Sequence, residues 1–249
     1  MSKVIASQAR QSVQIRLPDR RIFEGPQGTP LLEFIQKAEE ETQPAPHERA
    51  VAAMIDNRLR ELTYVIPRDT DVRPVTLFDA DGTRIYRRSL AFLLVAAAHA
   101  CFPEARVFID HALPQRAYFC HVEHRENFNS DELARLGEEM HKIVDGKYPI
   151  TRTRMSLDEA KNYFSERNDH AKVRLLQFRS RDYLRIYTLR DFSDYFYGYM
   201  IPTTDYLRWF DLESTELGFL LRYPSEDAPN QIQPMEKKGM LSRDRKSVV

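Results

Sequence analysis

Two periodicities alternate along this chain. Val13, Ile15 and Leu17 are separated by polar residues, the two-residue repeat of a half-buried strand. Pro18-Asp19 breaks the repeat and Arg21-Ile22-Phe23 resumes it. Gly28-Thr29-Pro30 then opens a helix whose inner stripe is Leu31, Leu32, Phe34 and Ile35, with Thr29 placed to cap it and Pro30 at its first position. After the loop Gln43-Pro44-Ala45-Pro46, residues 50–55 read as a strand, Asp56-Asn57 as a hairpin turn, and 59–65 as the returning strand. A last short strand, 73–78, closes the unit before Asp81-Gly82. A strand hairpin, one helix and further strands predict a small β-grasp domain.

A second unit starts near Tyr86. Residues 89–100 form a strongly apolar helix ended by Phe102-Pro103. Residues 107–110 and 116–122 read as a strand hairpin, and 131–144 as a helix with Leu133, Leu136, Met140 and Val144 along one side. Ser156-Leu157-Asp158-Glu159 matches a capping box and starts a helix over 157–166. Residues 173–178 and 183–189 then read as two strands joined by a polar turn. The pattern fades after Tyr223. The expected organisation is a tail (1–10), a β-grasp domain (11–80), a larger α+β domain (81–225) and a linker (226–249), an α+β protein throughout.

Composition narrows the class only modestly. Hydrophobic residues make up 42% of the chain and charged residues 30%, as in ordinary globular domains. No apolar run approaches the roughly 20 residues that span a bilayer, and the first eight residues are too weakly apolar for a secretory signal. A cytoplasmic protein is expected, without membrane contact, its two cysteines, Cys101 and Cys120, reduced and buried unless the fold brings them together. Formal charge is zero, yet residues 151–190 carry a net +5. That excess is either a patch for phosphates or an ordinary solvated face.

Five of the seven histidines lie within residues 99–141, so ion binding is the first chemistry to weigh. His121-x-x-His124 has helical ligand spacing, but its neighbours Tyr118, Phe119 and Val122 favour a strand, where residues three apart point to opposite faces. No second pair completes a zinc set, so no metal site is expected. No phosphate-binding loop, dinucleotide fingerprint or nucleophile elbow is present.

Two segments carry a resemblance. Tyr86-Arg87-Arg88-Ser89-Leu90-Ala91-Phe92-Leu93-Leu94 and Asp194-Tyr195-Phe196-Tyr197-Gly198-Tyr199-Met200-Ile201-Pro202 resemble the two halves of the editing site in the second N-terminal domain of threonyl-tRNA synthetases. There the motifs read Arg-His-Ser-x-x-His-Leu-Leu and Asp-x-Cys-x-Gly-Pro-His-x-Pro. Arg88 and Phe92 stand where the helix histidines would be, and Phe196 and Met200 where the cysteine and second histidine would be. Asp194 matches the leading aspartate, and Lys172 a lysine near that site. The resemblance thus implies a kept scaffold without a base or metal ligand set, and no catalytic residue. Arg88, Phe92, Lys172, Asp194, Tyr195, Tyr197, Tyr199 and Met200 are the expected ligand groove, with Tyr195, Tyr197 and Tyr199 on one face, either stacking a nucleobase or plugging the old cavity.

Ile15-Arg16-Leu17-Pro18-Asp19-Arg20-Arg21 followed by Gly28-Thr29-Pro30-Leu31-Leu32 is similar to the TGS domain that precedes the editing domain in those synthetases. The phrases at 87–90, 191–198 and 206–212 resemble the same region of bacterial uridine kinase-like nucleoside kinases. That second resemblance implies an accessory region with a kinase domain in cis, a parent using ATP and magnesium, and a nucleoside or nucleotide as ligand; this stretch itself would need no cofactor. The other reading is an RNA- or tRNA-binding module, or a residual aminoacyl-tRNA deacylase.

Overall fold

The computed structural model describes residues 10–123, 125–167 and 169–234; the expected N-terminal tail, except Arg10, and residues 235–249 lie outside that range. Strands β1 (Ser12–Arg16) and β2 (Ile22–Pro26) form an antiparallel hairpin, followed by helix α1 (Leu31–Thr42). Strands β3 (Ala52–Ile55) and β4 (Arg58–Glu61) form a second hairpin, with Asp56 and Asn57 at φ 50° and 57°, the left-handed pair that a two-residue turn needs. Strand β5 (Thr70–Asp71) lies parallel to β1, and β6 (Arg73–Val75) antiparallel to β3. Only Val72 separates β5 from β6, and its N–H donates to the Arg16 carbonyl at 2.9 Å. One extended segment therefore joins both hairpins in the order β2-β1-β5/β6-β3-β4, the β-grasp arrangement. Leu31, Phe34, Ile35 and Ala38 of α1 pack on Val13, Ile15, Ala53 and Ile55.

Two local expectations fail here for one reason. Pro30, not Thr29, occupies the cap of α1, and no side chain caps it. Instead the N–H groups of Leu31 and Leu32 donate to the carbonyls of Tyr64 and Leu62, each at 2.8 Å. The segment after β4 leaves its hairpin at Glu61 to satisfy those first-turn amides.

Helix α2 (Ala80–Cys101) begins about two and a half turns earlier than its apolar run suggests. Asp81-Gly82, expected to follow the strand that closes the first unit, lies in its first turn. A Cβ on Gly82 would sit 1.8 Å from the Thr76 carbonyl oxygen, so glycine is what lets the helix leave β6 so abruptly. Leu90, Phe92, Leu93, Leu94 and Ala97 of α2 are completely buried, in one core with Val51, Ala52, Val75 and Leu77 of the first unit.

Around α2, strands β7 (Arg106–Leu113) and β8 (Ala117–Glu123) pair with β12 (Asp211–Thr215) and β13 (Gly218–Arg222) in a sheet of order β12-β13-β8-β7. Helix α3 (Ser130–Asp145) opens on a capping box between Asn129 and Glu132. Strands β9 (Ile150–Ser156), β10 (Tyr183–Leu189) and β11 (Phe192–Asp194) form a sheet of order β11-β10-β9. Helix α4 (Leu157–Glu166) starts at the Ser156–Glu159 box read from the sequence.

The expected strand at 173–178 is instead part of helix α5 (His170–Gln177). The Asp169 side chain accepts from the Lys172 N–H at 3.2 Å and caps it. Leu176 is buried whereas Leu175 and Phe178 are exposed, so this apolar run turns one residue per turn inward instead of alternating. Helices α4 and α5 cover a small core of Ala160, Phe164, Leu176, Leu184 and Ile186. Among the described residues, no helix is long and apolar enough to cross a membrane.

Candidate functional site

Helix α2 and the 194–202 turn come together as the motif pairing implies. The Ser89 hydroxyl donates to the Ile85 carbonyl at 2.9 Å and accepts the Ile201 N–H at 3.0 Å, bolting turn to helix. One turn earlier, the Tyr86 hydroxyl donates to the Trp209 carbonyl (2.8 Å) and accepts the Trp209 N–H (2.9 Å). Arg88 Nη1 donates to the Tyr199 carbonyl at 2.6 Å. Its guanidinium passes so close to Gly198, at φ +105°, that a Cβ there would meet Arg88 Cζ at 2.5 Å. Gly198 is required both for its backbone angle and for this passage.

Where the editing chemistry would sit, the space is filled. The Phe92 ring lies edge-on to Phe196, with centroids 5.4 Å apart, and 5.9 Å from Phe192. Phe92 and Met200 are buried. Arg88 offers no base: burial pulls its pKa below the usual guanidinium value, against the pull of Tyr187 and Tyr118, but a guanidinium stays charged at neutral pH. Lys172 and Asp194 neutralise one another, Nζ to Oδ1 at 2.5 Å, with Asp169 Oδ2 3.1 Å from the same ammonium. Burial pushes the Asp169 carboxyl up, but the Lys172 charge and hydrogen bonds, with Arg106, hold it below the ordinary carboxylate range.

The eight expected groove residues do not line one open surface. Phe92, Asp194 and Met200 are interior. Tyr195 turns toward the α4–α5 core, its hydroxyl 3.2 Å from Arg179 Nη1. Tyr197 is exposed, and Tyr199 lies beneath Arg152, 5.3 Å from guanidinium carbon to ring centroid. The three tyrosines do not share a face, because β11 ends at Asp194 and the left-handed Gly198 breaks the two-residue alternation.

His121 lies in strand β8, 5.2 Å from the Phe108 ring; His124 falls outside the described residues. Among the described residues, no group of three or more His, Cys, Asp or Glu side chains could hold a metal ion. Cys101 and Cys120 are free thiols, and burial pushes the Cys120 thiol up to about 12.

The sheet β9–β10 carries what the motif search missed. Arg154 and Arg185 stand directly opposite each other, as do Arg152 and Tyr187. Arg154 lies 4.8 Å over the Tyr183 ring. Arg152 pairs with Glu61 of the β-grasp unit, and the Tyr187 hydroxyl lies 2.7 Å from the Gly198 carbonyl and 3.2 Å from Glu61 Oε2. Among the described residues, neither Arg154 nor Arg185 has a carboxylate within 4.0 Å. The signal was present as the alternations Arg152-x-Arg154 and Tyr183-x-Arg185-x-Tyr187.

The second unit is an α+β domain, and comparison with curated proteins makes the chain threonyl-tRNA synthetase-like. No protein-family model matches the chain. Curated proteins do: the threonine--tRNA ligase of Symbiobacterium thermophilum is 30% identical over 203 residues, 81% of this chain and 30% of that protein. That of Hahella chejuensis is 32% identical over 164 residues (66% and 26%), and that of Methylococcus capsulatus 30% identical over 201 residues (80% and 30%). The chain thus spans less than a third of the length of these relatives. The expectation of a uridine kinase-like parent is overturned, since these relatives are named threonine--tRNA ligases; the kinase domain in cis, ATP and magnesium were implied only through that parent. The 87–90, 191–198 and 206–212 phrases misled because they fall on framework that pairs α2 with its turn.

Proposed function

We propose that this chain is an RNA-binding module of threonyl-tRNA synthetase type, built of a TGS-like β-grasp and an editing-like domain that no longer hydrolyses esters. The observation that carries the reading is the Arg154–Arg185 pair. Like charges directly opposite on a sheet destabilise it; among the described residues these two have no carboxylate within 4.0 Å, and the Tyr183 ring lies beneath Arg154. Such an arrangement suits a phosphate backbone, whose contacts position an RNA without reading its bases. The ring-filled cleft supports the loss of deacylation.

Titration of tRNA binding against salt tests it. The wild-type chain is expected to bind tRNA with an affinity that falls steeply with ionic strength, and the double variant Arg154→Ala/Arg185→Ala to shift the log–log slope by about 1.5–2. Binding that ignores salt, or a double variant with an unchanged slope, refutes the reading. Serine release from Ser-tRNA(Thr) is expected at background; turnover abolished by Lys172→Ala would show a working deacylase.

A further inference from the structure

A cleft of about 390 Å³ opens where the first turns of α2 face the β7–β8 turn, lined by Arg84, Arg87 and Arg116 with Pro114, Tyr223 and Glu226. Its volume falls in the range of small-ligand sites, roughly 300–1,000 Å³. It plays no part in the RNA face or the ring-filled site.

Its three cations are unequally engaged. Arg84 holds Asp81 at 2.8 Å on the surface, and Arg116 reaches Asp227 only at 4.0 Å. Exposed pairs of this kind are weak and exchange readily for another anion. Arg87 has no carboxylate within 4.0 Å among the described residues; its Nη1 lies 3.4 Å from the Tyr223 hydroxyl, and its buried Nε has no hydrogen-bond partner. Arg87 thus brings to the cleft lining a guanidinium that no carboxylate among the described residues neutralises. Arg116 is fixed by its backbone: it sits at φ 59° in the β7–β8 turn, and its carbonyl accepts the Tyr223 N–H at 3.0 Å. The N-terminal end of α2, with the positive pole of its dipole, completes the lining.

We infer that this cleft is a phosphate-binding site in which Arg84, Arg87 and Arg116 converge on one phosphoryl group. Tyr223 is buried, its ring 5.3 Å from the Arg87 guanidinium and 5.2 Å from the Tyr118 ring, so it offers no platform for a base. Recognition therefore falls on the phosphate and is indifferent to the nucleobase. Glu226, the one carboxylate in the lining, opposes the ligand.

Calorimetry with inorganic phosphate, pyrophosphate, UMP, AMP and a short RNA oligonucleotide, at low salt of about 50 mM, tests the site on the full chain. Saturable binding of phosphate or pyrophosphate is expected, with UMP and AMP alike. Arg84→Ala/Arg116→Ala, which alters only exposed side chains, is expected to weaken it about tenfold or more, and Arg87→Lys to weaken it with the fold unchanged by circular dichroism. Glu226→Gln is expected to tighten it, and Arg154→Ala/Arg185→Ala to leave it intact. If only the RNA binds and the cleft variant abolishes this, the phosphate is that of a polynucleotide. If RNA binding is lost only through Arg154 and Arg185, or no probe saturates, or the cleft variant binds like the wild type, the inference is wrong.

Discussion

Arg87 and Arg88 are neighbours on α2 and have opposite fates. Arg88 points inward, donates to the Tyr199 carbonyl and threads past a glycine kept bare for it. Arg87 lines a cleft and has a buried N–H left over. Where the inherited framework is closed, side chains satisfy each other and leave nothing for a ligand. Where the helix meets the neighbouring turn, cations remain available. The cations that the fold leaves uncompensated lie away from the ring-filled turn, at Arg87 and at the Arg154–Arg185 pair.

The strongest way to break this contrast is Phe92→Ala. If the old cleft is packed core, removing the ring costs about 3–5 kcal/mol by urea unfolding. A cost under about 1 kcal/mol would mean that the rings line an accessible groove. Next comes Glu61→Ala, which strands Arg152 at the seam between the units. Truncating one partner of a fully buried pair costs about 3–5 kcal/mol, and Arg152, with a 21% exposed side chain, should give roughly 1–3. Wild-type stability would show that the seam is held by packing alone.

The sequence was most legible where a local motif has one structural solution. Ser156–Glu159 places the start of α4 because both orphan amides are satisfied within four residues. Asp56-Asn57 places its hairpin because both residues tolerate left-handed angles. Elements whose signal comes from elsewhere were missed: β13 is buried along its length and shows no alternation, and β9 is a largely polar strand ordered by β10. At the candidate site, the pairing of α2 with the 194–202 turn was readable from residue identity. The placement of the tyrosines was not, because it depends on the bend at Gly198 and on Arg152 and Arg179 reaching in from other elements. The cleft was invisible because Arg84 and Arg116 meet only through the fold.

Acid probes the seam at a second ion cluster. Arg49 Nη1 holds Asp205 Oδ2 at 2.7 Å, and its Nε lies 3.5 Å from Glu39 Oε2. Burial pushes the Asp205 carboxyl up, but hydrogen bonds from Thr203 and Arg49 outweigh it and leave the pKa below its ordinary value. At Glu39 burial wins and the pKa is raised. The two therefore act with opposite sign. Asp205 adds stability above its unfolded pKa, about 4, and loses it as pH falls through the folded value. Glu39 subtracts stability above its folded pKa, and that penalty disappears in acid. Asp205→Asn should lower the urea midpoint at pH 7 and approach wild type as pH falls through the depressed folded pKa of Asp205, whereas Glu39→Gln should be neutral or stabilising at pH 7. Equal destabilisation by both would show that Arg49 holds the two carboxylates alike.

The smallest effect sharpens the contrast best, because its sign is unusual. Arg154 and Arg185 face each other across β9 and β10 with no carboxylate within 4.0 Å among the described residues. Their repulsion is a structural cost, so removing one charge should stabilise the fold. Threonine keeps strand propensity, and Arg185→Thr is expected to raise stability by about 0.2–1 kcal/mol at low salt. Screening weakens the repulsion, so the gain should fade as salt approaches about 1 M. Arg88→Met is the matched opposite: it deletes a satisfied hydrogen bond from a packed site and should destabilise at every salt concentration. Loss of stability in both variants would mean that the sheet arginines are structural and that the RNA face has no basis in strain. A gain at position 185 beside a loss at 88 separates a charge held for a partner from one held by the fold.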